Sequence, residues 1–127
     1  MGEVIFLHTG QAGVQMGENI WELFRHEHKI NSDGRISEED YQGAANNSYF
    51  KIFQEVGDKK FVPRSIFMDL DPVSINRVWA GESRDLFASE NLLSANEDAS
   101  NNFAKGFYTN GKDMKDLIMK QIRHNVE

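Results

Sequence analysis

Three short apolar runs, each followed by a polar turn and then by a helical pattern, constrain the fold of this chain more than any other feature. The runs are residues 4–9 (VIFLHT), residues 65–72 (SIFMDLDP) and, more weakly, residues 91–94. Such alternation predicts an α/β protein whose parallel strands are joined by right-handed crossovers. Ligands of such sheets bind beyond the carboxyl ends of the strands, so the three turns are the first candidates for a site.

The helices are predicted from apolar residues that recur at spacings of three and four. The second helix should begin at Pro72, a favoured first helical residue, and end at Gly81. The three stripes are Val14, Gly17, Trp21 and Phe24; Ile75, Val78 and Trp79; and Met114, Leu117, Ile118 and Ile122. Residues 29–60 lack periodicity, which predicts a long loop with at most a short edge strand at 49–53.

Composition excludes several kinds of site. Twenty acidic and fourteen basic residues give a net charge of -6, which repels nucleic-acid backbones. The absence of cysteine excludes disulfides, thiolate zinc sites and a cysteine nucleophile. The apolar runs are too short to span a membrane and no secretory segment opens the chain, so a cytosolic protein without a membrane partner is expected.

The first turn, TGQAG, combines two glycines with two amide side chains. Gly10 and Gly13 allow close approach of a ligand, and the amino-terminal end of the following helix favours an anion. Gln11 and Gln15 are four residues apart, so both point in the same direction, toward a phosphate, its metal or a base. The alternative is that the small residues only let the helix pack closely on the strand.

The second and third turns carry acidic and amide residues. Asp69 and Asp71 lie on one face of a strand end, where carboxylates can hold Mg²⁺. Asp71 before Pro72 is equally suited to capping the helix. In the third turn Asp98, Ser100 and Asn101 could cap the last helix, or this run of small residues could present backbone donors to a phosphate. His8 fits a structural role better than a catalytic one, and no nucleophile arrangement is found.

Three blocks, GQAGVQ with Trp21, VPRSIFMDLDP at 62–72 and EDASNNFAKGFYTNGK at 97–112, resemble the amino-terminal part of the tubulin family without any shift in spacing. The resemblance covers all 127 residues and is strongest to the alpha type, through Ala12 and the pair Glu97 and Asp98. It implies a three-layer α/β fold with a Rossmann-like parallel sheet, the amino-terminal half of the tubulin/FtsZ-type GTPase domain. A whole protein of this kind is a GTP-binding structural subunit of microtubules.

The resemblance also assigns roles to residues of the three turns. It implies that Gln11 and Ala12 approach the phosphates of GTP and that Gln15 lies on the sugar and base side. Asp71 is expected near Mg²⁺, with Asp69 close by, although the family usually has glutamate at position 71. The loop expected around the terminal phosphate consists of Asp98, Ala99, Ser100 and Asn101. No catalytic residue is expected in this chain.

The implied partners are beta-tubulin, in a heterodimer, and neighbouring tubulin subunits in a cytoplasmic microtubule. Residues 29–64 and 81–92 correspond to loops that contact a neighbouring protofilament. Residues 1–127 are expected to form a partial GTP-binding domain that stops before a glycine-rich phosphate loop, so GTPase activity of this chain stays open. An alternative is a tubulin-like interaction protein that binds a partner through an uncovered sheet edge and binds no nucleotide. A flavodoxin-like enzyme is a third hypothesis.

Overall fold

The computed structural model describes residues 3–40, 50–57 and 59–127. Along the chain it has β1 (Phe6–Thr9), α1 (Gly10–Glu27), β2 (Phe53–Gly57), β3 (Lys60–Pro63), β4 (Ser65–Asp69), α2 (Pro72–Ala80), β5 (Leu92–Ser94) and α3 (Gly111–Val126). A short 3-10 helix, Ser89–Asn91, precedes β5, and a π-helical segment, Lys105–Asn110, leads into α3. Among the described residues no helix is both long and apolar enough to cross a membrane.

A parallel sheet of three strands in the order β1-β4-β5 forms the centre of the fold. Phe6 of β1 is paired with Ser65 of β4, and Phe67 of β4 is paired with Leu92 of β5. The predicted alternation of strand and helix is therefore confirmed. The helices also begin and end near the expected residues, except that α1 starts at Gly10, four residues before the first apolar position of its stripe.

Side chains alternate across β4, so the sheet separates two apolar clusters. Phe67 belongs to the larger cluster, which contains Val14 and Trp21 of α1 and Ile75 and Val78 of α2. The smaller cluster lies on the opposite face and consists of Ile66, Met68, Leu93 and Met114, with Ile118 and Ile122 of α3 packed against it. The fold thus has the three expected layers, with α1 and α2 on one side and α3 on the other.

Close packing of α1 on the sheet depends on Gly17. A Cβ atom at this position would lie 2.7 Å from both the His8 Cγ and the Phe67 Cε1 atoms. The His8 ring is buried and its Nε2 accepts a hydrogen bond of 3.0 Å from Trp21 Nε1–H. His8 therefore has the predicted structural role, and burial lowers the pKa of its imidazole below the ordinary value.

The prediction of a long loop over residues 29–60 was wrong, because β2 and β3 form an antiparallel hairpin. Only Phe53 of β2 is buried, and its ring lies 5.2 Å from that of Trp21, so β2 shows no alternation by which it could be recognised. On β3 the buried side chains are Phe61 and Pro63. The proposed edge strand at 49–53 lies partly outside the described residues.

Two apolar residues, one in the first apolar run and one in the stripe of the second helix, are exposed. Trp79 of α2 is 43% exposed, and Ser74 is buried in the helix face instead. Leu7 of β1 is 51% exposed, because α3 packs on β4 and β5 and does not cover this edge of the sheet. β1 is thus buried on one face only, and within the described residues nothing covers the face that carries Leu7.

Candidate functional site

The three turns that the sequence singled out lie at one edge of the sheet. β1 ends at Thr9, β4 at Asp69 and β5 at Ser94, and the strands are parallel neighbours. Because neighbouring strands are about 4.8 Å apart, the ends of β1 and β5 lie about 10 Å from each other, with the acidic turn after β4 between them. This spacing is suited to a ligand that lies along the edge of the sheet.

The first turn leaves the amino-terminal end of α1 without a side-chain cap. Thr9 occupies the N-cap position, but its side chain makes no capping hydrogen bond. Gly10 has a φ of +76°, a conformation that strongly favours glycine, and a Cβ atom there would meet nothing within 4 Å. Gln11 and Ala12 are exposed. The first amides of α1 therefore face an open edge, where the helix dipole favours an anion.

The second turn is held by its own carboxylates. Asp71 Oδ1 accepts a 3.0 Å hydrogen bond from the Val73 N–H, so Asp71 caps α2 as the sequence suggested. Asp69 Oδ2 accepts a 2.6 Å bond from the Ser74 hydroxyl, and its Oδ1 accepts a 3.2 Å bond from the Asp71 N–H. Asp69 is thus used to shape the turn, and Asp71 is the carboxylate nearer to the opening between the helices.

A narrow opening between α1 and α2, the α1–α2 cleft, brings part of the predicted site together. It is lined by Gln11, Val14, Gln15, Glu18, Asp71, Val73, Ser74 and Arg77. Its volume is about 40 Å³, enough for water-sized groups such as phosphate oxygens but not for a whole nucleotide, which would have to lie along the rim. Gln11, Gln15 and Asp71 therefore share one surface, as expected if they bind one ligand.

Sequence inspection missed Glu18, Ser74 and Arg77 of this cleft. Glu18 continues the spacing of Gln11 and Gln15 along α1, and Arg77 follows Ser74 by three residues on α2. Extending the stripes of polar residues along each helix would have found all three. Nothing in the sequence, however, indicated that these two helix faces lie against each other.

The third turn adopts a tight conformation of its own. Ala99 O accepts a 2.9 Å bond from the Asn102 N–H, and the two residues between them have positive φ, 51° at Ser100 and 60° at Asn101. The Asp98 carboxylate accepts from the Ser100 N–H, and Asn110 Nδ2 donates to the Asp98 carbonyl over 3.3 Å. The loop is thereby anchored to the last helix.

A continuous helical stretch begins at residue 103 and runs through the π-helical segment into α3. Asn102 caps this stretch, and the hypothesis that Asp98, Ser100 or Asn101 caps it was wrong. Asn102 Oδ1 accepts from the Ala104 N–H at 3.0 Å and from the Lys105 N–H at 3.3 Å. The sequence alone could not choose among adjacent residues that cap almost equally well. The predicted phosphate loop follows β5 and does not line the α1–α2 cleft; it consists of Asp98, Ala99, Ser100 and Asn101. All of these residues except Ala99 are exposed.

The carboxylates at this edge can bind a magnesium ion only if a bound phosphate and water supply the rest of its coordination. Within the described part of the chain, no three histidine or acidic side chains are grouped closely enough to hold a metal. Mg²⁺ commonly binds one or two carboxylates and completes its octahedron with phosphate oxygens and water. Asp71 uses one carboxylate oxygen for its cap and lines the same cleft as Gln11. Asp71 can therefore supply one carboxylate ligand to Mg²⁺, while a bound phosphate and water would supply the others.

Comparison with known proteins agrees with this architecture. Residues 3–127 match the profile described as the Tubulin/FtsZ family, GTPase domain. The chain is 46% identical over 123 residues to the tubulin alpha-2 chain of Homarus americanus, covering 97% of this chain, and 46% identical to the tubulin alpha-2 chain of Emericella nidulans, covering 96%. It spans only 27% of the length of these relatives. The match over nearly the whole chain shows that it belongs to the Tubulin/FtsZ family and lies within the GTPase domain.

Proposed function

We propose that this chain supplies phosphate and magnesium contacts of a GTP site in an alpha-tubulin-like subunit. The observation that carries the proposal is the contrast among the three helix starts. Asp71 caps α2 and Asn102 caps the helical stretch that begins at residue 103 and continues into α3, whereas the Thr9 side chain leaves the start of α1 uncapped. Helix amides that no cap occupies can donate to phosphate oxygens, so Gln11 and Ala12 are assigned to the phosphates.

The side chains of the α1–α2 cleft extend this assignment. Gln15 lies one turn after Gln11 on the same face of α1 and is assigned to the sugar and base side. Asp71 would hold Mg²⁺ directly or through water, and Asp69 would support it by fixing the backbone of the turn. When bound, Mg²⁺ neutralises phosphate charge, which matters here because Glu18, Asp69 and Asp71 are all acidic.

The third turn supplies the remaining phosphate contacts in this proposal. Its small and amide residues, Ala99, Ser100 and Asn101, follow a strand that ends at the same edge of the sheet as β1. The Asp98 carboxylate accepts a hydrogen bond from the Ser100 amide, so its charge is partly compensated within the loop. Backbone N–H groups of such turns form concave sites for anions.

The assembly role is proposed from the relatives. Both are named as tubulin alpha-2 chains, so we infer that the whole protein pairs with beta-tubulin and lies in cytoplasmic microtubules. Neighbouring tubulin subunits would be its other partners, through residues 29–64 and 81–92. The acidic net charge of -6 disfavours a nucleic-acid partner.

Binding of GTP to the 127-residue chain tests the proposal directly. Titration to millimolar GTP with Mg²⁺, followed by calorimetry, should show saturable binding, and Gln11→Ala should weaken it about two- to tenfold, the value of one hydrogen bond. Asn19→Ala is the matched control, because Asn19 is an exposed amide on the same helix outside the α1–α2 cleft. A folded chain without saturable binding, or equal loss in both variants, would contradict the assignment.

A second candidate function is partner binding without nucleotide, and it is favoured by the uncovered apolar face. Leu7 and Leu117 are about half exposed. A cavity of about 330 Å³ on the α3 side of the sheet is lined by the apolar side chains of Met68, Leu70, Met114 and Ile118, together with Thr9, Gly10, Asp69 and Gly111. Exposed apolar patches and unpaired strand edges attract other chains. Native mass spectrometry of the protein from its source separates the two functions: bound GTP supports the first, and a partner protein without nucleotide supports the second.

A further inference from the structure

The α1–α2 cleft contains a single cation among its described lining residues. Arg77 lies on α2, opposite four residues of α1, whereas Glu18 and Asp71 give the same cleft two negative charges. A nucleotide with its phosphates along the rim would meet this negative charge at once. Without a compensating cation, the cleft would repel the ligand that Gln11 and Ala12 are proposed to bind.

Arg77 is held loosely. Its Nη2 lies 4.0 Å from Glu18 Oε2, longer than a hydrogen bond, and the side chains are 59% and 29% exposed, respectively. A pair of this kind stabilises a fold little, so the guanidinium is available for a stronger acceptor. Arg77 is the fifth residue after Pro72, about 7.5 Å along the helix axis, and helical side chains lean toward the amino-terminal end. That end is the edge where Asp71 and Gln11 lie.

We propose that Arg77 is a phosphate-binding residue of the GTP site and that Glu18 competes with the phosphate for it. This inference rests on the proposed function, which it deepens by adding a cation that the three turns lack. The planar guanidinium matches the geometry of phosphate oxygens and can donate two hydrogen bonds at once. Binding of the phosphate would then exchange a loose contact with Glu18 for a charge-assisted one.

The test is the affinity of the whole 127-residue chain for GTP with Mg²⁺, measured by calorimetry in four variants. Arg77→Gln should weaken binding about five- to tenfold, the scale of a partly exposed charge-assisted hydrogen bond. Glu18→Gln should strengthen binding about two- to fivefold, because the competing carboxylate is gone. Arg77→Lys should restore part of the loss. Arg84→Gln is the matched control: it removes the same charge from an exposed arginine that does not line the cleft.

Arg77→Gln and Glu18→Gln are expected to change the affinity for GTP in opposite directions, and this difference separates ligand binding from a structural role. If the pair only stabilised the helices, Arg77→Gln and Glu18→Gln would change the thermal midpoint alike and leave affinity unchanged, which would overturn the inference. Equal weakening by Arg77→Gln and Arg84→Gln would also overturn it, since only net charge would then matter. If the wild-type chain binds GTP but Arg77→Gln does so equally well, the inference fails and the proposed function stands. A folded wild-type chain that binds no GTP overturns both.

Discussion

Substitution of Gly17 by alanine should destabilise the chain, although alanine is the better helix former. The added methyl would lie 2.7 Å from carbon atoms of both the His8 and the Phe67 rings. Both rings are buried and pack against each other at 4.6 Å between centroids, so neither can move without moving the other. Overpacking of this kind costs about 1–3 kcal/mol, and the gain in helix propensity offsets about 1 kcal/mol.

The expected net effect is a loss of up to about 2 kcal/mol of unfolding free energy, measured by urea denaturation with tryptophan fluorescence and circular dichroism. Gly13→Ala is the matched control on the same helix, because its methyl would lie at an ordinary 3.4 Å from the His8 carbonyl carbon. That variant should be neutral, or more stable by up to about 1 kcal/mol. Equal stability of the two variants would refute the argument that close packing on His8 and Phe67 requires Gly17.

Two further predictions concern titration and capping. Burial lowers the pKa values of the His8 and His28 imidazoles below the ordinary value of 6.5. Near that pH the unfolded chain therefore binds more protons than the folded chain, and stability should fall as the pH drops through it. His8→Gln should show a shallower fall of the urea midpoint between about pH 7.5 and 5.5, roughly one unit either side of 6.5. An unchanged slope would contradict the assignment. Asp71→Ala should lower the free energy of unfolding by about 1 kcal/mol, because the α2 cap is lost. Asp71→Asn keeps a capping oxygen, so its stability should stay within a few tenths of a kcal/mol of wild type. GTP binding to Asp71→Asn should nevertheless no longer depend on Mg²⁺. Stability and binding that change together in both variants would mean that Asp71 acts only as a cap.

Several features of the fold were predictable from the sequence because they depend on residues close together in the chain. A helix stripe, a proline at the first helical residue and an N-cap all involve contacts within about four residues. The start of α2 at Pro72 and its cap at Asp71 were predicted for this reason and are confirmed. The parallel sheet was predicted from the order of strands and helices along the chain and is also confirmed. The alternation of strands and helices also predicted that the three turns lie at one edge of the sheet.

The candidate site was only partly visible in the sequence. Gln11, Gln15 and Asp71 could be named from the turns, and the structure brings them to one cleft. Glu18 and Arg77 continue polar stripes of α1 and α2, but no feature of the sequence assigned them to the site, because that role depends on the contact between the two helices. The cap at Asn102 was missed for a different reason: adjacent residues had nearly equal capping ability, and the turn at Ser100 and Asn101 selects among them.

The sequence by itself determined the order of strands and helices and the chemistry of the turns, because both depend on local spacing and residue type. Only the tertiary structure decided which side chains meet across the chain. It pairs His8 with Trp21, packs the β2–β3 hairpin through Phe53 against the same tryptophan, and leaves Leu7 exposed where α3 does not reach. Whether a side chain is buried depends on which other element packs against it. Equally apolar residues of one strand can therefore differ, one being buried in the core and another exposed to solvent.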